Sequence, residues 1–199
     1  MSAEPALSGQ RIAHQDWACE QFSQHRYERC ELVEIDASEI ELTGCVFDKC
    51  ELTGIRFNAA ILTRSAFLGC SFRRCVFFGA ELDDCKLTGS SFVDCELRPL
   101  TVPGGDWSYV SLRGQNLSGL DLRGLKLVEA DFSEADLSKV DLRGADLSYV
   151  RLRNTTLRGA DLRGAQLEGA PLKGVDLAEV RIDIAQAGLF AAAQGARVG

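Results

Sequence analysis

Between residues 117 and 177 a large apolar residue returns at every fifth position, in units such as Ala-Asp-Leu-Ser at 135–138 and 145–148 and Ala-Asp-Leu-Arg at 160–163. A period of five fits neither an amphipathic helix, which repeats every 3.6 residues, nor a half-buried strand, which alternates. A backbone that turns a corner every five residues would close a square in twenty and keep each fifth side chain inside. This is the pattern of a solenoid. The frame extends back through Trp107, Phe92, Phe77, Phe72, Phe67, Phe57, Phe47 and Tyr27 to Phe22, and forward to Ile182, with only Ala37 small. No inserted loop breaks it.

A second repeating position lies two residues earlier and is small: Cys30, Cys45, Cys50, Cys70, Cys75, Cys85 and Cys95 in the first half, then Ala130, Ala135, Ala145, Ala160 and Ala165. Four large side chains per coil already fill a narrow tube, so only small groups fit beside them. The pattern predicts about eight coils across 17–183, preceded by a flexible polar segment at 1–16 and followed by a C-terminal unit at 184–199. Pro99, Pro103, Gly104 and Gly105 fall in one coil and predict a kink near 98–109 with the register kept, because proline removes a ladder donor.

After Ile182 the character changes. Asp183 and Gln186 have capping-box spacing and Gly195 supplies a stop, which predicts a helix from Ile184 to about residue 194. That helix is apolar on most sides and needs cover on most sides. One side closes the end of the coil, and Ile184, Leu189 and Phe190 are the candidates for contact with a second copy.

A chain of 199 residues with 46% apolar content and no change of composition along its length reads as one domain. No apolar run approaches the roughly 18 residues of a membrane span, and residues 1–10 lack the features of a signal peptide; a cytoplasmic protein with no membrane contact is expected. The formal charge of −7 excludes a general electrostatic binder of nucleic acid. Seven of the eight cysteines hold the small interior position, Cys19 being the exception. Stacked in parallel, their thiols neither meet disulfide geometry nor converge on a tetrahedral metal. His14 and His25 have no second ligand at a regular spacing, the repeat aspartates point outward, and no glycine loop precedes a helix to cradle phosphate. The expectation is a non-enzymatic protein without metal or cofactor.

The Ala-Asp-Leu-x-x unit resembles the pentapeptide repeat family, which implies an all-β solenoid, a right-handed quadrilateral parallel β-helix. More narrowly, Leu97-Arg98-Pro99-Leu100-Thr101, the Leu-Ser-Gly-Leu-Asp-Leu-Arg-Gly run at 117–124 and the tail from Val180 through Phe190 are similar to the MfpA type, a relative of the Qnr proteins. That resemblance implies a DNA-mimicking protein that binds DNA gyrase, inhibits or modulates it, is tied to fluoroquinolone resistance, and forms a homodimer through its C-terminal ends. It implies no direct nucleic-acid binding.

Folding the sequence into columns of twenty places Glu41, Glu81, Asp121, Asp141 and Asp161 on one face, which carries nine acids against five bases over residues 20–184. These five residues are the candidate gyrase-binding stripe. Two such rods end to end would span about 76 Å at about 4.8 Å per coil, where duplex DNA carries about 45 charges. Twice the formal −7 is −14, so DNA is not copied charge for charge. Arg123, Arg143 and Arg163 stand two residues from the last three acids. Two other readings remain open: a scaffolding module with a different protein partner, and a self-immunity protein against a gyrase-targeting natural product.

Overall fold

The computed structural model describes residues 6–197. Ala6 pairs with Arg26, Arg26 with Val46 and Val46 with Ala66, all in parallel and twenty residues apart. The same register recurs as far as Asp161 with Arg181. Each twenty-residue coil is therefore a square with four faces. The first face is a six-stranded sheet from Ala6–Ser8 to Gly105–Asp106, the second a five-stranded sheet from Arg11–Ala13 to Ser91–Val93, and the fourth a five-stranded sheet from Gln21–Ser23 to Leu100–Thr101. The third is held by single bridges through Asp16, Asp36, Arg56, Val76 and Glu96. Regular strands thus make up about five coils. Beyond them all four faces continue as single bridges, and the eight coils expected from the sequence combine both kinds.

The N-terminal boundary differs from the one read in the sequence. Ala6–Ser8 and Arg11–Ala13 already pair with Arg26–Glu28 and Glu31–Val33, because Leu7, Ile12 and Trp17 keep the five-residue phase and pack against the core. The coil is already formed at residue 6, within the expected flexible segment; residues 1–5 of that segment lie outside the described residues.

Inside, like stacks on like. Tyr27, Phe47 and Phe67 form a column with ring centroids 4.7 and 4.6 Å apart, and Phe72 lies on Phe92 at 4.6 Å. Burying such a side chain is worth about 1.5–3 kcal/mol. These contacts run from coil to coil, so each coil is stable only against its neighbours.

The corners come in two kinds. From Trp107 onward every corner is closed by a hydrogen bond from the small residue to the large one three before it, as from Ala145 N–H to Leu142 C=O at 3.1 Å. With Gly144 at φ 67° this is a type II turn. In the first half most corners are open; in the paired strands the large residue's carbonyl is a ladder acceptor, and a side chain one coil on adds a second donor. The Cys50 thiol donates to Tyr27 C=O at 3.3 Å, Cys70 to Phe47 at 3.3 Å and Cys85 to Leu62 at 3.2 Å. All seven interior cysteines bond in this way to the coil below. Ser65 does more: it donates to Leu42 C=O at 3.2 Å and accepts from Cys45 N–H at 3.1 Å, bridging both ends of an open corner. The cysteines are small fillers, as their position requires, and also second donors to ladder carbonyls of the coil below.

Between the coils at 94–105 and 114–125 the ladder parts on two faces. Among the described residues, no bridge joins 96 to 116 or 101 to 121, and Leu97 and Val102 N–H lack the partners their equivalents have elsewhere. Pro99 has no N–H to give. The first and second faces hold across the same level, through Asp106 with Lys126 and Ser91 with Ser111. Register is kept while two faces open.

The chain ends in helix α1, Ile184–Ala193, with the capping box formed by Asp183 and Gln186. The buried Gln186 side chain also donates to Leu162 C=O at 2.6 Å and to Ala165 C=O at 2.9 Å, where it takes the place of the ladder N–H that Gln166 gives Ala145 one coil earlier. Phe190 enters the end of the tube beside Leu152, Leu172 and Val175. A helix therefore closes the open end of the ladder, which a solenoid needs.

Candidate protein-interaction surfaces

The fourth face brings the five candidate acids into one outward column. Glu41 pairs in register with Ile61 and Ile61 with Glu81, while Asp121 bridges Asp141 and Asp141 bridges Asp161. The parted ladder at 101–121 separates the two groups.

They differ in chemistry. Asp121 accepts from the Arg123 guanidinium at 2.8 and 2.6 Å, Asp141 from Arg143 at 2.9 and 2.6 Å, and Asp161 from Arg163 at 2.9 and 2.6 Å. Cross-coil contacts of 3.7 Å (Arg123 with Asp141) and 3.9 Å (Arg143 with Asp161) join them into an alternating zipper. The arginine hydrogen bonds hold all three carboxyls below their ordinary range and keep them ionised. Such exposed pairs contribute little to stability, yet they cancel charge. On the N-terminal half of this face Glu41, Glu81 and Asp83 make no ion pair with any described residue.

Proline shapes a second feature that the five-residue pattern does not record. Pro171 cannot donate to the coil below, and no bridge joins 151 to 171 although 131 is bridged to 151. An open groove of about 690 Å3 follows, lined by Arg113, Arg151, Arg153, Lys173, Asp131 and Asp176 among others. Arg113 is held by Glu134 at 2.6 Å and Arg151 by Asp131 at 3.7 Å, so the groove is mixed in charge. His14 lies 3.2 Å from Glu34, and His25 stacks on Phe22 with ring centroids 4.8 Å apart. Burial pushes the Cys85 thiol up to about 12 and that of Cys45 upward as well, so these thiols stay protonated as donors.

At the C-terminal end the three candidate contact residues separate. Ile184 is 93% exposed and Leu189 49%, whereas Phe190 is only 4% exposed. Phe190 plugs the tube and cannot also face a second copy. Sequence reasoning placed it on the surface because 100° per residue gives angles on a helix but not where the coil's open end lies.

Profiles described as "Pentapeptide repeat region" and "Pentapeptide repeats (8 copies)" match residues 20–90 and, in two segments, 108–144 and 141–178. The chain belongs to the pentapeptide repeat family. No sequence among curated proteins matches it. Among solved pentapeptide repeat structures, it is similar to a trypsin-treated variant of QnrB1, a plasmid-mediated fluoroquinolone resistance protein. The identity is 23% with a TM-score of 0.73, over 98% of each chain. Full-length QnrB1 matches at 18% identity and a TM-score of 0.52, over 96% of this chain and 100% of that one. At these identities the likeness concerns the fold. Among the described residues of this pentapeptide repeat chain, no helix is long and apolar enough to cross a membrane.

Proposed function

We propose that this pentapeptide repeat protein is a non-enzymatic, DNA-mimicking ligand of DNA gyrase, of the MfpA and Qnr type, that inhibits or modulates the enzyme as a homodimer joined at its C-terminal ends. The observation that carries the reading is the single outward column of Glu41, Glu81, Asp121, Asp141 and Asp161 on one face of a filled rod. A partner that normally grips duplex DNA presents a basic channel, and a straight acidic face fits such a channel. The resemblance of residues 97–101, 117–124 and the C-terminal tail to the MfpA type supports the same target. Exposed Ile184 and Leu189 on α1 supply the apolar surface for the second copy.

Supercoiling of relaxed plasmid by gyrase, titrated with this protein, tests the reading. Inhibition at low micromolar protein is expected. Supercoiling that persists at every concentration would reject gyrase as the target. A quinolone arm then reads protection, as supercoiling restored in the presence of the drug. The arginine zipper over Asp121, Asp141 and Asp161 favours a second reading, a scaffolding module for a partner that is not strongly basic. Recovery of some other protein, and no topoisomerase subunit, in a pull-down would select it.

A further inference from the structure

The strands Gln21–Ser23, Glu41–Thr43, Ile61–Thr63, Ala80–Asp83 and Leu100–Thr101 form one continuous sheet on the fourth face. Its outward side chains at the first and third strand positions are Gln21, Ser23, Glu41, Thr43, Ile61, Thr63, Glu81, Asp83 and Thr101, with three acids and no base. The same positions on the other side of the parted ladder carry Asp121, Arg123, Asp141, Arg143, Asp161, Arg163, Arg181 and Asp183, four acids and four bases. The face has the same backbone plan at both ends, and only one end carries net charge.

That charged end also carries exposed apolar surface. Ile61, 45% exposed, sits in register between Glu41 and Glu81, about 4.8 Å from each along the sheet. Phe78, 53% exposed, lies at the corner that leads into Glu81. An aliphatic anchor flanked by unpaired carboxylates is suited to a protein partner that offers an apolar spot among cations. The carboxylates steer and register the encounter while Ile61 is desolvated at its centre. Residues of the zipper already hold their counter-ions and would have to release them to bind a cation.

Resting on the gyrase reading above, we infer that the N-terminal half of the fourth face, centred on Ile61 between Glu41 and Glu81, is the docking surface for the basic channel of gyrase, and that the Asp–Arg half contributes far less. The N-terminal halves of a dimer joined at its C-terminal ends lie at the far ends of the particle, so the contact is made at both tips.

The test compares affinities of the full-length protein for intact gyrase by biolayer interferometry at two salt concentrations. Glu41→Lys with Glu81→Lys is expected to weaken binding by at least about tenfold, and Ile61→Ser by several-fold with the salt dependence unchanged. Neutralising the zipper by Asp141→Asn, Arg143→Gln, Asp161→Asn and Arg163→Gln should weaken it by no more than about threefold. Glu51→Lys with Glu96→Lys makes the same net charge change on the second and third faces and should shift affinity by less than about twofold. Equal losses from the two double reversals would show that only net charge matters and would overturn the inference. A larger loss from the zipper variant would do the same while leaving gyrase as the target. Wild-type protein that does not bind gyrase would overturn the functional reading and this inference together. Unchanged melting temperatures of all variants keep the comparison one of surfaces.

Discussion

At the scale of single residues, the interior position two before each large residue does two jobs. Its smallness is legible in the sequence, because Cys recurs there in the first half and Ala in the second with the five-residue period. Its donor role is not legible, because a size pattern does not record whether a corner is open or closed. The correlation becomes clear only in three dimensions: a carbonyl such as Leu62 C=O belongs to the ladder of its paired strands, and the Cys85 thiol one coil later reaches it as a second donor at 3.2 Å. After Cys95 there are no cysteines, and from Trp107 on every corner closes itself. Removal of the donors should therefore scale with the backbone groups stranded. Ser65→Ala leaves Cys45 N–H buried without a partner, while Leu42 C=O keeps its ladder donor, and about 1–3 kcal/mol of lost stability is expected. Cys85→Ala strands no backbone group, since Leu62 C=O keeps its ladder donor, and loses only a weak second bond, for a cost below about 1 kcal/mol. Guanidinium unfolding of the two variants measures the difference, and equal costs would mean that the serine is only a filler.

At the scale of elements, the sequence showed the C-terminal helix from its capping box and stop, and it marked the proline-rich coil as a place of change. What it could not show was how each is used. The helix is a lid: Gln186 satisfies the ladder carbonyl of Ala165 and Phe190 fills the tube end, which leaves Ile184 and Leu189 outside. The proline coil keeps its register and loses bridges on two faces, which divides the acidic column. The two roles on α1 are separable by mutation. Phe190→Ala should cost stability, on the order of 3 kcal/mol for a buried ring, with the last coil exposed to hydrogen exchange first. Ile184→Asp with Leu189→Asp should leave the melting temperature nearly unchanged and shift light scattering from dimer to monomer. A stable monomeric wild type would remove the dimer from the account.

At the scale of the whole molecule, the fold is a rod whose length is set by the number of coils and whose function depends on what one face presents. The frame of twenty placed Glu41, Glu81, Asp121, Asp141 and Asp161 in one column from the sequence alone, since a solenoid without insertions makes columns a matter of counting. The neutralisation of the last three needed the arginine rotamers, and the N-terminal extent of the coil needed the pairing of Ala6 with Arg26. A dimeric gyrase ligand has one direct consequence, the mass of its complex. Size-exclusion chromatography with light scattering on gyrase saturated with this protein should give the mass of gyrase plus two chains, an increment of twice 21.7 kDa. Gyrase eluting at its own mass, with the protein recovered separately, would contradict the account.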